Sequence, residues 1–215
     1  MHVDPAAAAR LILAGQPPPT GWLPHIVELR LDRSYIMDLR PLAGLIGLRR
    51  LVLTRSRVCD LTPLASLTRL QRLHLSYTAV RDLWPLAGMV ELEACFLTGS
   101  LVDDITPLAT LVRLERLDLG GTQISDATPL QGLGNLRSLD LSGTRIRDLT
   151  PLMGLTKLQY LNLATIPAGD FAPLAALPGL RRVDVRGTHG EASVLSQFSG
   201  CEIITTVLGP RRRPP

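Results

Sequence analysis

The side chains able to do acid–base or metal chemistry are distributed along this chain by a repeat rather than gathered in one cluster. Asp118 and Asp140 stand 22 residues apart. On neighbouring strands their backbones would lie about 5 Å apart, close enough for a paired-carboxylate site. Repetition alone also creates that neighbour relation. Asp recurs at Asp38, Asp60, Asp82, Asp104, Asp126, Asp148 and Asp170, again one every 22 residues. A metal needs ligands that converge, so one Asp per repeat without a second ligand beside it reads as a turn cap. Of the four histidines, His2, His25, His74 and His189, only His74 falls on an expected strand. Cys59, Cys95 and Cys201 have no metal-ligand spacing and cannot all pair in disulfides,. They read as free thiols, with Cys95 a small hydrophobe in the core. No nucleophile elbow occurs. These observations predict a protein that is not an enzyme, with no catalytic residue, metal or cofactor.

The elements that would position these side chains follow from the same period. Eight consecutive segments of 22 residues run from Ile26 to Cys201. With Ile26 as position one, position six is Leu31, Leu53, Leu75, Leu97, Leu119, Leu141, Leu163 and Val185. Position sixteen is proline from Pro41 through Pro173 in seven copies. A unit of this length cannot bury its apolar face alone and must stack on its neighbours. Positions four to six alternate apolar and polar, as in Leu139-Asp140-Leu141, the period of a half-buried strand,. The chain returns to the same side after each turn, so successive strands pair in parallel. The expected sheet is roughly 35 to 40 Å across.

Beyond the strand, position nine is Ser or Thr in every copy except Ile166, predicting a hydroxyl ladder bonded to backbone,. Thr62, Thr106, Thr128 and Thr150 precede prolines and read as N-cap hydroxyls before short helical turns,. The leucines at seventeen and twenty then face the strands. The fold class is an α/β solenoid: an arc with a parallel concave β-sheet and short 3₁₀ or helical turns on the convex side.

Three regions are expected. Residues 1–25 form an N-terminal helical cap, with Asp4 and Pro5 starting the helix, Gly15 stopping it and a Pro17-Pro18-Pro19 elbow after it,. Leu11, Ile12, Leu13 and Trp22 are expected to cover the first repeat. Residues 26–201 hold the eight repeats. Residues 202–215 supply a capping strand, with Ile203 to Leu208 as its span, and a basic tail, Arg211-Arg212-Arg213-Pro214-Pro215. Repeat seven departs from the pattern at Ile166, Pro167, Ala168 and Gly169, which suggests a bulge or exposed apolar surface suited to self-association. Oligomeric state is not readable.

The frame of Leu136 to Lys157, LRSLDLSGTRIRDLTPLMGLTK, resembles the short leucine-rich repeat of bacterial internalin-type proteins, with Thr for the usual Asn. The resemblance spans about four-fifths of the chain. It implies a curved solenoid, a leucine-rich repeat horseshoe that binds protein partners on its concave sheet. Similar Thr-containing repeats occur as sensor segments of bacterial nucleotide-binding immune-type proteins, so a sensor or adaptor subunit of a larger bacterial assembly is an alternative. The sequence contains no Walker A pattern, secretion signal or cell-wall anchor, so only the module is expected to transfer.

Strand positions three, five, seven and eight are free of core duty. Position five reads Arg30, Val52, His74, Phe96, Asp118, Asp140, Asn162 and Asp184, running from basic through apolar to acidic. Arg50 and Arg72 at position three, and Arg33, Arg55 and Tyr77 at position eight, extend the first part. Aromatic and Arg side chains dominate interface hot spots. The expected anchor is Val52, His74, Tyr77 and Phe96 flanked by Arg50 and Arg72, with Asp118, Asp140 and Asp184 orienting the partner. The net charge is +4, and seven arginines against one acid lie between Arg49 and Arg81. Nucleic-acid binding through this Arg-rich half and the basic tail is the competing class. The acids at position five repel phosphate over half the face, which makes it the weaker reading. With no apolar run long enough to span a membrane, a cytoplasmic protein is expected.

Overall fold

A computed structural model describes residues 3–189 and 201–205. Among these residues one α-helix and nine short strands lie in chain order, with a 3₁₀ turn before each of the first eight strands. Helix α1 spans Pro5–Leu13, and the Asp4 carboxylate caps it by accepting from the Ala6 amide. Gly15 leaves the helix with φ of 75°. The strands are β1 (Glu28–Arg30), β2 (Arg50–Val52), β3 (Arg72–His74), β4 (Ala94–Phe96), β5 (Arg116–Asp118), β6 (Ser138–Asp140), β7 (Tyr160–Asn162), β8 (Arg182–Asp184) and β9 (Glu202–Ile204). They form one parallel sheet in the order β1 to β9, open at both ends.

Leucines and their equivalents at positions four, six, fourteen, seventeen and twenty merge into one core that runs from the helix to β8. Cys95 is fully buried in it, and burial together with Asp118 pushes its thiol up to about 12, so it packs as a hydrophobe. Ser34, Thr78, Thr122, Thr144 and Thr188 each donate a hydroxyl to the carbonyl of the position-six residue, the ladder expected of that column. Buried Ser56 and Ser100 hydroxyls make no such bond.

Several expectations need correction. Thr62, Thr106, Thr128 and Thr150 are not N-caps: each begins its 3₁₀ turn, and no side chain of the preceding residue caps it. The Asp two residues earlier does the capping, accepting from the Thr amide at 2.8 Å in all four repeats. The Thr hydroxyl donates to the same carboxylate and helps hold Asp60, Asp104, Asp126 and Asp148 below the ordinary carboxylate range. A carboxylate wins because it accepts from two donors at once. Within the cap Ala8 and Ile12 face the core, whereas Leu13 is half exposed on the opposite side. In repeat seven Ile166, Ala168 and Phe171 are all buried in the core, while Pro167 is partly exposed. The capping strand is Glu202–Ile204. Thr205 is already outside the strand, and residues 206–208 of the expected span, His2 and the basic tail lie outside the described residues.

Candidate concave interaction face

The parallel register lines up each repeat position as a row across the sheet. Position five runs Arg30, Val52, His74, Phe96, Asp118, Asp140, Asn162 and Asp184, each paired with the next. Position three places Arg50 beside Arg72, with Glu28 before them and Ala94 and Arg116 after. The residues expected to form an anchor are therefore neighbours.

Their local geometry gives each a distinct part. His74 and Phe96 stack, ring centroids 4.4 Å apart and planes 13° from parallel. Both are half-buried, while Val52 is only 6% exposed and forms floor rather than projection. An open hollow of about 380 Å³ lies over the first three strands, lined among others by Arg30, Arg33, Val52, Arg55, His74 and Tyr77. A second hollow of about 230 Å³ adjoins it across Arg50, Arg72, Phe96 and Arg116. Burial, then the charges of Arg50, Arg30 and Arg72, hold the His74 pKa below its ordinary value. The imidazole is therefore neutral at pH 7. Arg50 meets Glu28 at 3.5 Å, yet its buried Nε has no partner.

Position eight follows a rule that the apolar pattern did not reveal. In all eight repeats it has positive φ: Arg33, Arg55, Tyr77 and Thr165, with glycine in the other four. The amide of the next residue donates back to the position-six carbonyl, as Ser56 does to Leu53 and Ser100 to Leu97. That closes a four-residue turn whose third residue must be left-handed, the usual place of glycine. Gly99, Gly121, Gly143 and Gly187 were the signal in the sequence. Tyr77 lies over Gly99 so closely that a Cβ there would stand 2.7 Å from the ring. The Arg55 guanidinium sits 5.3 Å from the centre of the same ring.

The acidic half of the row is turned inward on its own backbone. Asp118 accepts from the Gly120 amide at 3.1 Å, Asp140 from Ser142 at 2.8 Å, Asn162 from Ala164 at 3.1 Å and Asp184 from Arg186 at 3.1 Å. Asn162 also donates to Asp140 at 2.8 Å. Burial raises the Asp118 pKa against the bonds from Thr98 and Gly120. Asp184 is buried too, but the Arg186 side chain and amide hold its carboxyl low. These acids thus cap the turn after each strand. Among the described residues no group of His, Cys, Asp and Glu could hold a metal ion.

The comparisons with known proteins match this geometry. Residues 134–176 match the family model described as leucine-rich repeats, two copies. The crystal structure of internalin C2 from Listeria monocytogenes superposes with a TM-score of 0.83 at 30% identity, covering 94% of this chain and 92% of that one. The chain belongs to the internalin-type leucine-rich repeat family. Internalin F of the same bacterium shares the fold at a TM-score of 0.72 and 21% identity, over 93% of this chain and 67% of that one. A Leptospira interrogans leucine-rich repeat protein shares it at 0.79 and 20% identity, and this chain, matched over 87% of its own length, spans 51% of that protein. No curated protein sequence matches. Internalin-type repeats are non-enzymatic scaffolds, and leucine-rich repeat proteins generally mediate protein–protein interaction. No helix among the described residues is long and apolar enough to cross a membrane.

Proposed function

We propose that the chain is a protein-interaction module that reads a protein partner on its concave sheet, through the half that runs from Arg30 to Phe96. The observation that carries this reading is the stacked, half-buried His74–Phe96 pair with Arg50 and Arg72 in the adjacent row. Aromatic rings already fixed by stacking bring area to an interface with little entropy left to lose, and flanking arginines add directional donors. Tyr77 belongs to the same surface through the hollow it shares with Val52 and His74. Asp118, Asp140, Asn162 and Asp184 continue the row and orient the partner by excluding acidic groups from the second half. No catalysis is part of this function. An exposed unpaired thiol at Cys59 favours a reducing compartment, and we place the protein in the cytoplasm on that ground,.

The test is capture of partners from the source cell by the wild-type chain and by a Phe96→Ala/Arg72→Glu double variant, identified by mass spectrometry. Neither Phe96 nor Arg72 belongs to the buried leucine core, so the variant should keep its circular dichroism and lose the partner. Equal recovery by a folded double variant would remove this patch.

A further inference from the structure

The two halves of the concave row differ in what meets the backbone after the strand. In repeats five to eight the position-five Asp or Asn accepts from the position-seven amide, at Gly120, Ser142, Ala164 and Arg186. In repeats one, two and four the equivalent side chains are Arg30, Val52 and Phe96, none of which carries an acceptor,. His74, in repeat three, is stacked on Phe96. Among the described residues no protein group accepts from the amides of Thr54, Ser76 or Thr98. The first half therefore presents donors that the second half satisfies with its own carboxylates.

Charge at the same place has the matching sign. Arg30, Arg33, Arg50 and Arg55 line the hollow over Thr54, against the single acid Asp32. Asp32 is itself engaged by Arg30 at 3.5 Å. Arg33 and Arg55 also hold left-handed backbone, where glycine would cost nothing,. Strain of this kind persists where the side chain is needed.

We infer that this hollow seats a carboxylate of the protein partner, carried by an acidic segment whose neighbouring apolar side chain rests on the His74–Phe96 stack. The partner's Asp or Glu takes the place that Asp118, Asp140 and Asp184 occupy in the later repeats. The inference rests on the concave-face reading above and narrows it to one ligand chemistry. Amide donors and arginine forks both favour a planar carboxylate, and a charge-assisted bond to each is stronger than a neutral one.

Two variants test it without threatening the fold. Arg33→Gly/Arg55→Gly removes two charges and relaxes the turn. His74→Asp installs the carboxylate that later repeats already carry and lets it cap the Ser76 amide from within. The probes are a labelled peptide of alternating Glu and Leu, its Gln-for-Glu counterpart and a single-stranded oligonucleotide, each followed by fluorescence anisotropy. The acidic peptide should bind at least about tenfold more tightly than the Gln peptide. That preference should fade between about 50 and 500 mM salt, and each variant should weaken acidic-peptide binding about tenfold or more while its melting temperature holds or rises. Equal binding of both peptides, binding of neither, unchanged binding by the variants, or tighter binding of the oligonucleotide would each overturn the carboxylate seat. A cellular partner lost with Phe96→Ala/Arg72→Glu but kept by both new variants would overturn it while leaving concave-face binding intact.

Discussion

Arg33, Arg55 and Tyr77 hold φ of 56°, 58° and 58°, in the region where Cβ crowds the following carbonyl. That conformation costs an L-residue about 1–2 kcal/mol. Part of the gain from glycine is lost to its freer unfolded chain. Arg33→Gly should therefore raise stability by about 0.5–1 kcal/mol, measured by thermal unfolding. Gly99 sits one repeat further on and has a second constraint, because a Cβ there meets the Tyr77 ring. Gly121 has the same positive φ, but a Cβ would find only Gly99 backbone at 3.8 Å. Gly99→Ala should thus cost about 0.5–1 kcal/mol more than Gly121→Ala, the excess being displacement of the ring. The excess should disappear in a Tyr77→Gly background; an excess that survives there would show that the ring is not its cause.

At the scale of the element, the return limb depends on the Asp column that the repeat marks as turn caps, and not on a Thr hydroxyl as N-cap. Asp60, Asp104, Asp126 and Asp148 are held below their ordinary range chiefly by the Thr side chain and amide two residues on. A carboxyl with a lower pKa in the folded state binds fewer protons there than when unfolded. Its contribution is present above the unfolded value of about 3.9 and is lost as pH falls through the folded one. Melting temperature should be nearly flat from about pH 5 to 7 and drop below about pH 4. Asp126→Asn/Asp148→Asn keeps an acceptor for each amide but cannot titrate. It should melt slightly lower at neutral pH and lose less on acidification. A parallel acid limb would place the titration elsewhere.

For the molecule as a whole, the buried leucines form one continuous cluster from the N-terminal cap to β8. Stacked units of this kind share their stability through neighbouring interfaces. Ile12 is 1% exposed and closes the open end of that stack. Ile12→Ala should cost about 2–4 kcal/mol. Trp22 reports on the cap and exposed Trp84 on the third repeat, so tryptophan fluorescence and far-ultraviolet circular dichroism should unfold together at a lower denaturant midpoint,. Separate transitions would show that the cap melts independently.

The period by itself determined the fold, because repetition at 22 residues leaves stacking as the way to bury identical apolar phases,. It also determined the strand positions, the parallel register and the candidate row from Arg30 to Asp184, since a side chain's face in a strand follows from parity alone. Helix α1 was legible from Asp4 and Pro5 for the same local reason. Contacts between repeats were not legible. The seat of Tyr77 on Gly99 and the stacking of His74 on Phe96 join residues one period apart, whereas the Asp cap of the return limb, two residues from its amide, was readable as a local turn signal. Only packing sets the distances between repeats. The two halves of the concave row were likewise a change of residue type in the sequence, and tertiary structure turned that into a physical difference. In one half the acids are consumed by backbone amides, and in the other those amides are left open.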